Sequence, residues 1–294
     1  SINLVANSLS DNILKQGDEI LLSEMEHHSN IIPWQLISKK NKITIKYIPL
    51  LESGELDIEK LDSLITKKTK LISISHMSNL LGTINPIDKI ISFAKQKNIL
   101  VMIDAAQSIS HLKIDVQKLN CDFLVFSGHK ILGPTGVGIL YGKEKLLHKM
   151  SPFLGGGQMI KEVTLHKSTW GEIPYKFEAG TPNIASVLGL KEAIKYFNKI
   201  INNKSLEHLH GLSNYFCNEI NKIKNIQILS IKKSPIVSFN IDGIHPFDLT
   251  QLLSTYNICI RSGHHCAQPI LNKHNLKSIN RASLYYYNTK EEVD

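Results

Sequence analysis

The chain has almost no arginine. Of its 34 cationic residues only Arg261 and Arg281 are arginine, and the rest are lysine. Arginine presents a planar fork that grips a carboxylate through two bonds, which lysine cannot copy. Two arginines kept in one short C-terminal stretch therefore point to carboxylate binding. Long apolar runs are also missing, so no membrane span is expected. Paired cysteines are missing too. Cys121, Cys217, Cys259 and Cys266 fit neither a disulfide framework nor a CxxC zinc site, which points to a reducing, cytoplasmic setting. Cys121, Cys217 and Cys259 lie in or beside apolar segments and are expected to be small core residues. The net charge of +8 is spread over many segments, with no aromatic-studded basic groove, so no nucleic-acid partner is expected. There is no initiator Met and no basic leader, and Ser1-Ile-Asn-Leu-Val-Ala-Asn7 reads as the interior of a domain. Lys290-Glu-Glu-Val-Asp294 reads as the first turn of a longer helix, so the chain is expected to be a piece of a larger one.

What is present is an ordinary globular composition, 42% apolar and 20% charged over 294 residues. Strand-like runs at 19–23, 43–48, 71–75, 99–103 and 123–126 alternate with helix-like runs at 30–40, 57–65 and 86–97. A further apolar run covers 137–141. This alternation predicts an α/β fold with a mainly parallel sheet. From about residue 186 the pattern changes to helices at 186–201 and 205–223, strands at 226–231 and 236–241, a helix at 247–256 and a strand at 258–261. That predicts a large domain over 1–190 and a smaller α/β domain over 191–294. Residues 155–157 and 170–183 form a polar stretch of little periodicity, read as a linker or an excursion to another subunit.

In parallel sheets, ligands sit beyond the carboxyl ends of the strands. Four predicted strands end in polar clusters: Glu26-His-His-Ser29, Ser75-His-Met-Ser-Asn79, Asp104-Ala-Ala-Gln107 and Ser127-Gly-His-Lys130. Lys130, on a Gly/Pro-rich turn between two core strands, suits Schiff-base formation with an aldehyde. Asp104 can hold a pyridine nitrogen protonated. His27 can stack on that ring, and Ser127, His129 and Gln107 can bind a phosphate or a phenolic oxygen. Together these requirements describe pyridoxal 5′-phosphate. Taken singly, each residue has a plain structural role; Asp104, for example, can cap the segment that follows it. In the C-terminal part, Arg261-Ser-Gly-His-His-Cys266-Ala-Gln-Pro269 places a cysteine on a short glycine-containing loop beside cationic groups, which raise the thiolate fraction. A zinc site from His264, Cys266 and His27 or His28 is the metal alternative. Its spacing is unfamiliar and no acidic residue supports it, so no metal is expected.

These motifs resemble the cysteine desulfurases of the class V aminotransferase family, in the branch serving the SUF iron–sulfur assembly system and selenocysteine lyases. The resemblance runs through the whole chain. It is carried by Glu26-His-His-Ser-Asn30, Ser78-Asn-Leu-Leu-Gly-Thr83, Ile103-Asp-Ala-Ala-Gln107, Phe126-Ser-Gly-His-Lys-Ile-Leu-Gly-Pro-Thr-Gly136, Phe177-Glu-Ala-Gly-Thr-Pro-Asn183, Arg261-Ser-Gly-His-His-Cys-Ala267 and Arg281-Ala-Ser-Leu284. It implies a fold-type I homodimer with pyridoxal phosphate on Lys130, Asp104 at the pyridine nitrogen, His27 on the ring and Gln107 at the phenolic oxygen. Ser127 and His129 would hold the phosphate. Gly180 and Thr181 would reach the phosphate of the partner subunit. Arg281 would bind the substrate carboxylate with Asn79 beside it, and Arg261 would line the same pocket. L-cysteine would become alanine with a persulfide on Cys266, destined for a sulfur-acceptor protein of the SUF system. L-selenocysteine is the alternative substrate, and a non-catalytic remnant that dimerises or binds a sulfur-transfer partner is the other alternative. The family also grips the phosphate with a Gly-Thr-Thr turn ahead of the residues matching Ser1 onward and ends on a helix beyond those matching Asp294. Weakened cofactor binding is therefore expected of the chain as given.

Overall fold

The computed structural model describes residues 1–231 and 234–294. Its main sheet has six strands: β1 (Glu19–Ser23), β2 (Thr44–Ile48), β3 (Thr69–Ser75), β4 (Leu100–Asp104), β5 (Phe123–Ser127) and β6 (Gly138–Gly142), in the order β2-β1-β3-β4-β5-β6. The first five run parallel, and β6 pairs antiparallel with β5. The mainly parallel α/β architecture predicted from the alternation is present.

The strands read as unbroken apolar runs because both faces of the sheet are covered. Within β1, Ile20 and Leu22 enter one core with Val5, Leu9, Trp34, Met102 and Val125, while Leu21 enters the other with Ile72, Ile103 and Leu124. The period of two along a strand divides one sequence run between two cores. Helix Ile87–Gln96 closes the second core with Ile87, Ile90, Ile91 and Ala94, spaced to share one helical face. The helix Ile2–Asn12, which sequence pattern alone leaves unassigned, closes the first core with Val5, Ala6 and Leu9.

The hairpin β7 (Ile160–Val163) and β8 (Ser168–Trp170) lies between the two parts, 155–157 and 170–183, of the stretch expected to be aperiodic, sharing only Trp170 with it. Its strands are short and largely exposed, so no alternation marks them. The long helices Ile184–Ile200 and Asn203–Ile220 follow. The C-terminal part carries a four-stranded antiparallel sheet of β9 (Ile226–Ile228), β10 (Ile236–Ile241), β11 (Arg261–Gly263) and β12 (Ile279–Ser283), in the order β11-β12-β10-β9.

Some boundaries differ from expectation. β9 stops at Ile228 rather than 231, because the Ile231 N–H bonds the Leu81 carbonyl of the first part instead of continuing the ladder. β11 begins at Arg261, where the expected run 258–261 ends, and continues through Gly263. The helix expected over 57–65 is a 3₁₀ turn, Ile58–Lys60, running into a short α-helix, Leu61–Leu64. Among the cysteines expected in the core, Cys121 is buried, Cys217 is half-buried and Cys259 is exposed. Residues 258–260 lie outside any strand, so nothing covers the Cys259 side chain.

The two sheets meet at the turn Asn79–Gly82. Ser238 Oγ donates to the Leu80 carbonyl (2.6 Å), and Arg281 Nη1 donates to the Asn79 carbonyl (2.8 Å). Gly82 has a φ of +69°, and a β-carbon there would collide with the Ser234 side chain. Only glycine meets both demands.

Candidate active site

The carboxyl ends of β1, β3, β4 and β5 carry the polar clusters to one rim. Asp104 ends β4 and is buried; one carboxylate oxygen accepts the Ala106 N–H at 2.9 Å. Burial pushes its carboxyl up, while the Ala106 N–H and the Lys130 charge pull it back. Asp104 lines a cavity of about 540 Å³ together with Ser29, Ser127, His129 and the first turn of helix Ile2–Asn12.

Lys130 sits on the 3₁₀ turn Gly128–Ile131 that follows β5. Its Nζ donates to Gln107 Oε1 at 2.9 Å. Burial, then the charges of Arg281 and Arg261, lower its pKa, and Asp104 opposes them. An ammonium under that pressure gives up its proton more readily, as an amine nucleophile requires.

His27 is held by Ser29, whose backbone N–H donates to Nδ1 at 3.1 Å and whose hydroxyl lies 2.8 Å from the same atom. Burial first, then His28, Lys130, Arg261 and Arg281, hold its pKa down to about 4. The ring is therefore neutral at pH 7 and presents an uncharged face.

The cysteine loop reaches this rim from the second sheet. His265 and Cys266 both have left-handed backbones, with φ of +51° and +53°, behind Gly263 at +127°. Adjacent non-glycine residues in that region are strained and persist only when their surroundings impose them. Here the His265 carbonyl accepts Asn79 Nδ2 at 2.8 Å, and the Cys266 carbonyl accepts the His28 N–H at 2.9 Å. The buried His265 ring bonds the Ile279 carbonyl at 2.9 Å, and Ala267 enters the main core. His264 and His28 lie beside the thiol: one nitrogen of each ring and Cys266 Sγ are all within 4.8 Å of one another.

Arg261 and Arg281 are direct cross-strand partners on β11 and β12. Like charges placed opposite one another repel. Arg281 is half-buried, and its Nε has no hydrogen-bond partner among the described residues. Two facing guanidinium groups with a spare buried donor suit a carboxylate.

The structure thus brings together Lys130, Asp104, Gln107 and His27, and sets Asn79, Arg261, Arg281 and Cys266 around them. Ser127 and His129 line the cavity. Gly180 and Thr181 are not among the residues lining that cavity; they lie on the segment after the hairpin, where the Gly180 N–H bonds the Gly157 carbonyl. Three further contributors are given no role by the sequence, although Glu26 stands in one of its rim clusters. His111 Nε2 lies 3.1 Å from Gln107 Nε2 and so orients the amide that meets Lys130. Tyr285 packs edge-on against the His111 ring. Glu26 is fully buried in a network with Ser23, Asn30 and Ser75, and burial lifts its pKa to about 7. The Tyr285-Tyr-Tyr287 run was the visible clue to the second of these.

The pattern that defines the class-V aminotransferases matches residues 1–294. A cysteine desulfurase of Wigglesworthia glossinidia brevipalpis is 49% identical over 296 residues, covering 100% of this chain and 72% of that protein. The crystal structure of the Escherichia coli cysteine desulfurase CsdA superposes with a TM-score of 0.97 at 38% identity, covering 100% of this chain and 73% of that one. A C-DES variant carrying glycine covalently linked to its pyridoxal phosphate cofactor superposes with a TM-score of 0.85 at 25% identity, covering 99% and 76%.

Proposed function

Because the chain belongs to the class-V aminotransferase family, we propose that it is a pyridoxal phosphate-dependent cysteine desulfurase that converts L-cysteine to L-alanine and retains the sulfur as a persulfide on Cys266. The observation that carries the reading is the meeting of two sets of residues. Lys130 and Asp104 stand on one strand rim, and the strained Cys266 loop is pinned to that rim beside two register-paired arginines.

The residues fit the cofactor. A buried carboxylate pushed up by burial calls for a cationic partner, which Asp104 would find in a protonated pyridine nitrogen. His27 offers a neutral ring face, Gln107 an amide, and Lys130 an amine for the aldehyde carbon. Ser127 and His129 would hold the phosphate. When bound, pyridoxal phosphate supplies an electron sink for the substrate α-carbon.

The chain's own groups do the rest. Arg281 and Arg261 bind the cysteine carboxylate and so aim its thiol at the loop. Lys130 takes the α-proton. The Cys266 thiolate attacks the substrate sulfur; an S–S bond forms, the C–S bond breaks, and the β-carbon keeps the electron pair and takes a proton to complete alanine.

The same proposal holds finer parts. The chain divides at about residue 190, works as a homodimer with Gly180 and Thr181 reaching the partner subunit's phosphate, and acts in the cytoplasm. Its sulfur goes to an acceptor protein of the SUF iron–sulfur assembly system. Dimerisation is favoured by exposed apolar side chains on the hairpin and the helix after it, Leu165, Ile184, Val187 and Leu188. Among the described residues, no helix is long and apolar enough to cross a membrane.

The test is to titrate the protein with pyridoxal phosphate, follow its visible spectrum, and then measure alanine and protein-bound persulfide from cysteine. One equivalent bound per chain, with alanine and persulfide formed together, is the expected result. Turnover of selenocysteine with none of cysteine would replace this reading with selenocysteine lyase, and failure to bind cofactor would overturn both.

A further inference from the structure

We propose that His28, His264 and Cys266 form a binding site for one borderline-soft divalent cation, of which zinc is the natural occupant, and that the cation reversibly withdraws the Cys266 thiol from chemistry. Among the described residues this is the one group of three histidine, cysteine or carboxylate side chains whose donor atoms converge.

The ring nitrogens and the sulfur lie within 4.8 Å of one another. Tetrahedral zinc with ordinary bond lengths wants them about 3.3–3.6 Å apart. Small side-chain rotations close that gap. The lone pairs already face the loop: His264 Nδ1 accepts the Cys266 N–H at 3.0 Å, and His28 Nε2 accepts the Gln268 N–H at 3.3 Å. Coordination would replace those two backbone bonds with metal–nitrogen bonds, which are far stronger than the bonds given up. The His28 N–H to Cys266 carbonyl bond at 2.9 Å fixes the distance between the two halves of the site. The cation therefore meets a preorganised set rather than a flexible one.

Two nitrogens and a thiolate without a carboxylate favour zinc over magnesium or calcium. Three protein ligands leave a fourth position for water or an incoming ligand, the arrangement of exchangeable zinc sites. His264 is exposed and Cys266 half-buried, so the cation has a path from solvent. The sequence offers this set only as an alternative, with His27 or His28 as the third ligand; the fold brings His28, from the end of β1, to the two ligands that follow β11. Its effect on turnover rests on the reading of Cys266 as the nucleophile; cation binding itself does not.

The experiment is a zinc titration of the cofactor-loaded protein against a chromogenic chelator, paired with cobalt substitution read in its ligand-field bands. One zinc per chain and tetrahedral cobalt bands are expected. Loss of a direct ligand exceeds the loss of an outer-shell partner, so His28→Ala, His264→Ala and Cys266→Ala should each weaken zinc at least about 100-fold. Cys259→Ser, which changes an exposed thiol outside the cluster, should bind as the parent does. Zinc should also stop alanine formation until chelator is added, and His264→Ala should resist zinc by the same factor by which it loses affinity. Undiminished binding in both His28→Ala and His264→Ala, loss of binding in Cys259→Ser, or no zinc bound at micromolar concentration would overturn the site. Absence of cysteine turnover by the zinc-free, cofactor-loaded protein, with zinc binding intact, would count against the proposed function and leave the cation site standing.

Discussion

The two reactive side chains stand on supports of opposite character. Lys130 follows a core strand of the six-stranded sheet, and its ammonium is steered by the buried Asp104, the half-buried Gln107 and, through Gln107, the buried His111. Cys266 sits beyond the outer strand of the four-stranded sheet, in two consecutive left-handed residues, one of them half exposed. The lysine region derives its chemistry from burial and charge, which need a rigid, dry setting. The cysteine region lies where another molecule can reach it, as the proposed sulfur transfer requires, and its geometry is imposed by bonds from outside the loop. Proton and carbon chemistry go to the scaffold, and sulfur transfer goes to the loop.

The comparison breaks most sharply with Lys130→Ala. The visible absorbance of bound cofactor should vanish and cysteine turnover should fall by a factor of at least about 10³, the scale of losing a positioned acid–base and nucleophilic group. Retained turnover would remove Lys130 from the chemistry. Cys266→Ala should give the complementary result: the absorbance unchanged, and persulfide and alanine from cysteine lost by roughly 10²-fold or more. If alanine still forms from cysteine at the parent rate, the two-centre division is wrong.

Arg281→Lys tests the part shared by the two regions. It keeps the charge and loses the planar fork. The KM for cysteine should rise by roughly 10- to 100-fold, the scale of a charge-assisted bidentate pair, with cofactor absorbance unchanged. A change in kcat alone would place Arg281 with the reacting atoms rather than the carboxylate.

Much of this was legible in the sequence, and the reason is physical. Strands with both faces covered appear as apolar runs, so the polar residues just past them, His27, Asn79, Asp104 and Lys130, stand out as rim residues. Scarce arginine made Arg261 and Arg281 conspicuous, although nothing local said that they would be cross-strand neighbours. What stayed hidden depends on partners distant along the chain. Asn79 spends its amide on the His265 carbonyl, and the hairpin β7–β8 has too few buried residues to leave a period. The left-handed pair was hidden as well, because neither His265 nor Cys266 is a residue that announces a positive φ.

Glu26 sharpens the rigid side of the comparison. Burial raises its pKa from 4.5 to about 7 despite donors from Ser23, Ser75 and Asn30. The folded state therefore holds a proton that the unfolded chain releases between those values. Its contribution to stability is fully present below about 4.5 and is lost as pH rises through about 7. At about 1.36 kcal/mol per pH unit, that slope amounts to on the order of 3 kcal/mol. Glu26→Gln, which cannot ionise, should flatten denaturant midpoints over this range; an unchanged slope would place the titration elsewhere.

The smallest effect is expected at Asn79→Ala, and it addresses the loop alone. Each left-handed non-glycine residue costs roughly 1 kcal/mol or more, so His265 and Cys266 together store about 2 kcal/mol against an extended or helical alternative. Three bonds hold them there: Asn79 Nδ2 to the His265 carbonyl, the His28 N–H to the Cys266 carbonyl, and the His265 ring to the Ile279 carbonyl. Each contributes about 1 kcal/mol, so removing one nearly cancels the surplus that keeps the pair in place. The loop should then sample other conformations while the rim around Lys130 does not move. With the surplus near zero the productive loop is about half populated, so persulfide formation should slow by roughly two-fold, with an unchanged cofactor spectrum and a global unfolding midpoint lowered by only about 1 kcal/mol equivalent. Amide exchange should separate this from a general loosening: protection should fall at Cys266 and Ala267 and hold at Ala105 and Gly128, whose N–H groups bond within the main sheet and its turns. Equal loss at all four positions would mean that the loop and the rim are one unit, and the contrast between them would go.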